Sequence, residues 1–382
     1  MFGLSLSSVF GSSVAHKLRD LNWPLLFLIA TVASIGFAML YSVADGHLDP
    51  WAKNQMTRFA VGCAILVFVA LVDIRIWMSL AYPAYAVALM LLVAVDLFGH
   101  IGMGAQRWIK IGGLSIQPSE LMKITLVLAL ARYFHGVKAE NVSRLLTLLP
   151  ALALIGVPFA LVVVQPDLGT GMLLALGGSG LLFVAGLSWR IIFAVLAMAG
   201  AAIPVAWGFL HDYQKRRVFT FLDPSLDPLG AGYHITQSKI AFGSGGVFGK
   251  GFMQGTQSHL NFLPEKQTDF IFTMFSEEFG LIGAVTLLML YWMILAYGLS
   301  IALRSRNHFG RLVAFGVLMT FLLYILINTS MVMGLIPVVG VPLPLVSYGG
   351  TAMLTLMFGF GLLMCVHVHR NAEIPRYKGL LL

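Results

Sequence analysis

Apolar residues in this chain are grouped into ten long runs that are separated by short polar segments. The runs lie at 23–43, 56–72, 78–97, 120–134, 146–164, 168–187, 191–210, 270–299, 312–334 and 347–368. Most of them approach the ~20 residues that a helix needs to cross the hydrocarbon of a bilayer. The pattern predicts an all-α, polytopic membrane protein with ten transmembrane helices, forming one integral membrane domain over residues 1–382.

Two of the runs differ from an ordinary span. The run at 120–134 is short and contains Lys123 and Arg132. The run at 270–299 is longer than a span requires, so we expect it to be tilted or to project from the bilayer.

The composition supports a membrane protein and excludes several other classes. Of 382 residues, 59% are hydrophobic and 10% are charged, whereas soluble domains carry about 25% charged residues. The net charge of +8 is spread over short loops without a dense basic patch, so we expect no nucleic-acid partner. Cys63 and Cys365 lie inside apolar runs, which favours packing roles over a disulfide or a metal site.

The distribution of basic residues predicts the orientation in the membrane. Thirteen lysines and arginines fall on the side that holds both termini, and five fall in the short loops and helix mouths of the other side. Basic residues favour the cytoplasmic side. We therefore expect cytoplasmic termini in the inner membrane and one large extracytoplasmic loop, at about 211–268, between spans 7 and 8.

The large loop contains a glycine-rich segment at 243–251. It is not a phosphate-binding P-loop, because Ser244 occupies the place of the first glycine and Gly251 follows the lysine. We interpret the segment as flexible backbone that lets the loop fold back over the membrane mouth.

Asp269 ends the large loop and stands directly before the run at 270–299. An ionisable group at such a boundary is costly unless it is used, which suggests a reactive carboxylate. The alternative is a helix N-cap, because Thr268-Asp269 before an apolar run fits that role. The residue pattern alone favours the cap.

Further polar residues are expected on the same outer side. Arg107, with Trp108 and Lys110 in the loop at 98–119, suits a phosphate group at the membrane interface. Glu120 and Lys123 are three residues apart and can pair on one helix face. That pair is either a structural ion pair or part of a site for an anionic lipid headgroup, and the spacing leaves both open.

Several other features have structural explanations. Asp167 is placed to cap the following helix, and the segment at 334–350, rich in proline and glycine, is expected to border a cavity. Glu277 and Glu278 lie roughly 12–14 Å beyond Asp269 along a helix, too far for a two-carboxylate pair, so they favour structural pairing or contact with a partner.

No metal site is expected from the histidines of the loop. His211, His234 and His259 are scattered without the spacing of metal ligands. We therefore expect no resident cofactor, and a requirement for a divalent cation is left open.

Five strings, in this order, carry a resemblance to a known family. The chain resembles the SEDS proteins (shape, elongation, division and sporulation), and the form of 336–342 is similar to the RodA elongation branch rather than the FtsW division branch. The strings are Gly104-Ala105-Gln106-Arg107-Trp108, Gln117-Pro118-Ser119-Glu120, Gln165-Pro166-Asp167-Leu168-Gly169, Phe262-Leu263-Pro264-Glu265 with Thr268-Asp269-Phe270, and Pro342-Leu343-Pro344 with Ser347-Tyr348-Gly349-Gly350. One departure is Asn54, which precedes Gln55 where family members often have a basic residue; Lys53 and Arg58 lie nearby.

The resemblance implies an activity and partners. It implies a peptidoglycan glycosyltransferase that polymerises lipid II, a disaccharide-pentapeptide on undecaprenyl pyrophosphate, at the outer face of the cytoplasmic membrane. A class B penicillin-binding protein and the elongation machinery are the implied partners, with membrane lipid as surroundings.

The resemblance also implies roles for individual residues. The essential acidic residue of the family maps onto Asp269, which we interpret as the general base. The substrate-binding candidates are Arg107, Trp108, Lys110, Glu120, Lys123 and Lys266, and Arg216 is a further candidate cation.

Two other functions fit the same composition. One is a flippase for lipid-linked cell-wall precursors, and the other is a non-catalytic scaffold for a penicillin-binding protein. A flippase should have charged groups accessible from both faces, whereas the polar residues here cluster on the outer side. That asymmetry favours an enzyme that works on one face.

Overall fold

The computed structural model describes residues 14–102, 105–111, 114–209, 212–227, 231–256 and 265–375. The described part is mostly helical. The helices are α1 Val14–Arg19, α2 Trp23–Val43, α3 Ala52–Leu71, α4 Ile74–Phe98, α5 Pro118–Gly136, α6 Leu145–Val164, α7 Leu168–Ala185, α8 Trp189–Phe209, α9 Asp212–Leu222, α10 Ala231–Gly245, α11 Ile271–Arg304, α12 His308–Val332 and α13 Gly350–Val368. Short 3-10 helices lie at Ala139–Asn141 and Pro224–Leu226.

Eight helices of the described part are long and apolar enough to cross a membrane: α2, α3, α4, α6, α7, α11, α12 and α13. The runs at 120–134 and 191–210 also form helices, α5 and α8. α5 falls short as a candidate span because Glu120, Lys123 and Arg132 lower its hydropathy. It is nevertheless mostly buried, packed against α4, α6, α7, α12 and α13, so neighbouring helices surround it.

The prediction of a purely helical chain is wrong in the loop at 98–119. This loop forms a three-stranded antiparallel sheet of β1 His100–Gly102, β2 Ala105–Ile111 and β3 Leu114–Ile116. Trp108 pairs with His100, and Ile109 pairs with Ile116. Within β2 only Ile109-Lys110-Ile111 alternates apolar and polar residues, so the period-two signal of a strand is weak. The strands are also too short to stand out beside the long apolar runs.

The large loop is also more ordered than the sequence suggested. It contributes α9 and α10, and α10 packs along the start of α11. Ser238 of α10 is fully buried and donates through Oγ to the carbonyl of Val332 at 2.7 Å, while its hydroxyl lies 2.8 Å from that of Thr273. This part of the loop therefore covers the beginning of α11 and the end of α12.

The long helix α11 is interrupted near its start, which the continuous apolar run did not indicate. Gly280 has φ +65°, a conformation that side chains with a Cβ rarely adopt. A Cβ at this position would lie 2.6 Å from the carbonyl oxygen of Val247. The long run at 270–299 is thus two helical pieces rather than one continuous helix.

Residues 246–251, the part of the glycine-rich segment that follows α10, fill this interruption. Its amides at Lys250 and Gly251 donate to the carbonyls of Glu277 and Glu278 at 3.0 and 2.9 Å. Its carbonyls at Gly246 and Val247 accept from the amides of residues 281 and 282 at 3.0 and 3.2 Å. Backbone groups released by the break are therefore paired. Residues 246–251 are thus docked backbone to backbone on α11, and the expectation that the loop folds back over the membrane mouth stays a prediction.

Candidate active site

Asp269 lies in the turn at 265–270 that precedes α11. The N-cap of α11 is Phe270, and no side chain caps this helix, so the interpretation of Asp269 as a helix cap is wrong. The side chain is half-buried, and its carboxylate accepts no hydrogen bond from the residues that the structure describes. An acidic side chain left unused by the fold is a candidate for chemistry.

The turn that carries Asp269 is held through its backbone. Asn328, fully buried in α12, donates from Nδ2 to the carbonyls of Asp269 and Val341 at 2.9 and 2.7 Å. The hydroxyl of Ser347 donates to the carbonyl of Thr268 at 2.6 Å. The amide of Tyr348 donates to the carbonyl of Gln267 at 2.8 Å. The Asp269 side chain is therefore positioned by contacts that do not involve its own carboxylate.

The surroundings raise the pKa of Asp269 from 3.8 to about 7. Burial is the largest cause, because a partly dry site disfavours the charged form. The negative charges of Glu265 and Asp167 add to it. A carboxylate with a pKa near neutrality is suited to accept a proton at physiological pH.

Arg107 on β2 is held against the turn at 165–167. Its guanidinium donates to the carbonyl of Gln165 at 3.4 Å and to that of Pro166, and its Nε lies 3.7 Å from Oδ2 of Asp167. Asp167 also caps α7 as predicted, accepting from the amide and hydroxyl of Thr170 at 3.2 and 3.0 Å. Arg107 and Asp167 thus bring the strand loop close to the Asp269 turn.

Glu120 and Lys123 pair as their spacing predicted, and both are buried. Lys123 Nζ lies 2.7 Å from Glu120 Oε1, and the hydroxyl of Tyr324 donates to Glu120 Oε2 at 2.8 Å. Lys123 also bonds the Tyr324 hydroxyl. A buried ion pair tolerates the loss of water only when its remaining groups are hydrogen-bonded, and Tyr324 provides this.

The pair borders a cavity between α3, α5, α12, α13 and the segment at 342–349. The prediction that the proline- and glycine-rich segment borders a cavity is therefore confirmed. The same segment contacts the Asp269 turn through Ser347 and Tyr348. The cavity and the candidate base are thus joined by one stretch of backbone.

The remaining substrate-binding candidates lie in different parts of the structure. Lys266 is buried in the same turn, and burial lowers the pKa of its amine while Asp45 partly offsets this. Trp108 is half-buried on β2. The side chain of Lys110 lies outside the described residues, and Arg216 is exposed on α9.

Glu277 and Glu278 make structural pairs, as predicted. Glu277 is 0% exposed and forms an ion pair with Lys250 at 2.6 Å. Glu278 accepts from the hydroxyl of Ser42 and, at 3.2 Å, from the amide of Met253. These contacts fasten the loop segment at 246–256 to the first piece of α11.

The described residues bring together no group of three or more His, Cys, Asp or Glu side chains that could hold a metal ion. His211, His259, Gly104 and the string at 262–264 lie outside the described residues, as does the side chain of His234.

The sequence interpretation missed several residues of this region. Asn328 and Tyr324 are polar groups inside the apolar run at 312–334, and Gln55 bonds the carbonyl of Ser347 at 2.9 Å. Polarity within an apolar run was the available signal, but it did not indicate which distant segment each side chain contacts.

Comparison with known proteins agrees with this arrangement. The Cell cycle protein family FTSW_RODA_SPOVE matches residues 19–372. The Escherichia coli K12 protein named peptidoglycan glycosyltransferase MrdB is 47% identical over 349 residues, which cover 91% of this chain and 94% of that protein.

Two solved structures share the fold. A chain from a peptidoglycan synthase complex, described as coordinating polymerization and crosslinking, superposes with a TM-score of 0.81 at 31% identity, covering 92% of this chain and 99% of that one. The Thermus thermophilus rod shape determining protein RodA superposes with a TM-score of 0.70 at 28% identity, covering 92% and 98%. The chain therefore belongs to the FtsW, RodA and SpoVE family.

Proposed function

We propose that this chain is a peptidoglycan glycosyltransferase of cell elongation that polymerises lipid II into glycan strands at the outer face of the cytoplasmic membrane. The name and 47% identity of the Escherichia coli relative support the activity. The half-buried Asp269 carboxylate, without a described hydrogen-bond donor and with a pKa raised to about 7, is the observation that carries the proposal.

Asp269 acts as the general base in the proposed reaction. It removes the proton of the 4-hydroxyl of the acceptor sugar as that oxygen attacks the anomeric carbon of the donor. The bond from the anomeric carbon to the diphosphate breaks, and the undecaprenyl diphosphate leaves with the electron pair. Direct attack inverts the configuration at that carbon.

The leaving diphosphate gains negative charge, which cations stabilise. Arg107 is the candidate nearest to Asp167 and the 165–167 turn. Lys123 and Glu120 border the cavity. The other residues proposed to surround the substrate are Trp108, Lys110, Lys266 and Arg216. The proposal includes no resident metal, and reactions with a chelator and with Mg²⁺ test a divalent cation separately.

The proposed topology has ten spans, with α5 and α8 added to the eight candidate helices, as one membrane domain. Both termini are cytoplasmic, and the loop at about 211–268 is extracytoplasmic between spans 7 and 8. Arg107 of the strand sheet contacts the 165–167 turn, and the charge of Asp167 raises the pKa of Asp269, which supports one shared outer face.

The proposed partner is a class B penicillin-binding protein that crosslinks the new strands as part of the elongation machinery. The likeness to a chain from a complex described as coordinating polymerization and crosslinking supports this partner.

The proposal is tested with purified protein in vesicles that contain lipid II. If the chain is an enzyme, glycan polymer forms from lipid II in these vesicles. Parallel reactions with a chelator and with added Mg²⁺ test whether a divalent cation is required. Transbilayer movement of labelled lipid II without polymer would instead indicate a flippase. Polymer that forms only with an active partner polymerase, and that persists after Asp269→Asn, would indicate a scaffold.

Gly340→Ala is expected to reduce polymerisation. Gly340 has φ +73°, and a Cβ there would lie 3.4 Å from Oδ2 of Asp269. A left-handed conformation costs an ordinary residue about 1–2 kcal/mol, and the methyl group would crowd the carboxylate. Gly136→Ala is the control, because a Cβ there contacts nothing within 4 Å. Equal rates for both variants in the lipid II assay would contradict the expectation.

A further inference from the structure

The diphosphate of the proposed substrate requires positive charge, but two of the cations near it are already paired. Arg107 Nε lies 3.7 Å from Asp167, and the guanidinium also donates to two carbonyls. Lys123 lies 2.7 Å from Glu120. Each of these cations is partly neutralised by a carboxylate, which weakens its attraction for a second anion.

Arg58 on α3 is different, because the fold leaves part of its guanidinium unused. Its Nη1 is buried and has no hydrogen-bond partner among the described residues. No described carboxylate forms a salt bridge with it. The guanidinium carbon lies 4.6 Å from the centre of the Tyr348 ring, which orients the group without neutralising it. A buried donor on a charged group is costly without an acceptor.

The guanidinium faces the beginning of α13. An ideal Cβ on Gly350 would lie 3.4 Å from the guanidinium carbon and 3.7 Å from Nη2. Gly349 is the N-cap of α13 and has no side chain of its own to cap the first turn, although its amide donates to Gln55 Oε1 at 3.3 Å. A helix N-terminus has a partial positive charge and free amides. The guanidinium therefore packs beside the positive end of α13, whose first turn contains no acidic residue.

This location adjoins the proposed active site. Tyr348, beneath Arg58, donates its amide to the carbonyl of Gln267, two residues before Asp269. Gln55, one helical turn before Arg58 on α3, lines the cavity together with Gly349 and Ala352. An anion held by Arg58 and α13 would thus lie between the cavity and the turn that carries the base.

We propose that Arg58 and the first turn of α13 bind the diphosphate of the lipid-linked substrate. The inference rests on the proposed function for the identity of the ligand. A bidentate guanidinium and helix amides match the oxygens of a diphosphate.

The test is a binding measurement with undecaprenyl diphosphate and the full chain in nanodiscs of zwitterionic lipid. Arg58→Gln is expected to weaken binding about tenfold or more, because a charge-assisted contact is lost, and Arg58→Lys to weaken it less. Lys53→Gln is the matched control, because Lys53 is exposed on the same helix and pairs with Asp49.

Undecaprenol, which lacks the diphosphate, should bind equally to wild type and Arg58→Gln. The proposal is overturned if Arg58→Gln binds undecaprenyl diphosphate as wild type does, or if undecaprenol binding falls by the same factor. Inorganic diphosphate should compete with the lipid. Equal competition by phosphatidylglycerol nanodiscs would overturn the assignment in favour of a general headgroup site.

The measurement separates this inference from the proposed function. Asp269→Asn should retain undecaprenyl diphosphate binding, and Arg58→Gln should lose it. If Asp269→Asn polymerises normally while Arg58→Gln fails to bind, the base is wrong and the anion site is supported. If Asp269→Asn is inactive while Arg58→Gln binds normally, the anion site is wrong.

Discussion

Asp269→Asn is expected to lower the rate of lipid II polymerisation by ~10²–10⁴-fold, the usual contribution of a general base. Asparagine has nearly the same shape but cannot accept the proton of the sugar hydroxyl. The turn should keep its geometry, because Asn328 and Ser347 contact backbone carbonyls of Asp269 and Thr268. The loss should therefore appear in kcat rather than in folding or substrate binding.

Single-turnover polymerisation with purified protein checks this prediction. Asp223→Asn is the control, because Asp223 lies outside the candidate site and accepts only from Ser225 among the described contacts. The Asp269→Asn substitution should not lower the melting temperature at about pH 8. Since the folded pKa of Asp269 is raised, its ionisation costs stability as the pH rises through about 7, and asparagine avoids that cost. A variant that merely unfolds would contradict the assignment.

Lys250→Met is expected to destabilise the protein by about 3–5 kcal/mol, the range for breaking one side of a buried ion pair. Lys250 lies 2.6 Å from Glu277, which is 0% exposed. Without the lysine, the Glu277 carboxylate stays buried with the hydroxyls of Thr256 and Ser244 nearby, at 3.1 and 3.4 Å, and these carry no compensating charge. The segment that fills the break at Gly280 would be weakened.

Unfolding in detergent, followed by helical circular dichroism, measures this effect. Lys53→Met is the comparison, because its pair with Asp49 at 3.4 Å is exposed and is worth about 0–1 kcal/mol. Adding Glu277→Gln to Lys250→Met should recover much of the loss, since the buried charge is removed. Equal effects of Lys250→Met and Lys53→Met would show that the contact is not structural.

The membrane class and the helices could be predicted because long apolar runs have one common explanation. The pairing of Glu120 with Lys123 followed from spacing within one helix. Tyr324, which completes this pair, lies about two hundred residues further along the chain, and no local pattern relates the two. The break at Gly280 was hidden because the residues around it are as apolar as a continuous span.

The function of Asp269 could not be derived from its own pattern. A Thr-Asp pair before an apolar run favoured a cap, but the helix begins later, with Phe270 as the N-cap. The family resemblance favoured a catalytic role for Asp269 over a helix cap. The general-base role of Asp269 stays a prediction. Arg58 was noted only as a nearby cation, because its missing partner becomes visible only when α3, α13 and Tyr348 are brought together.

The pH dependence of kcat/KM for lipid II polymerisation tests the central claim, that Asp269 is the base, most directly. The active form is the carboxylate, so the rate should rise with pH through an apparent pKa of about 7. Glu265→Gln removes a negative charge that raises this pKa, so its midpoint should move to lower pH. The residual activity of Asp269→Asn should lack the transition. A profile that is flat between about pH 5 and about pH 9, or the same midpoint in Asp269→Asn, would contradict the account.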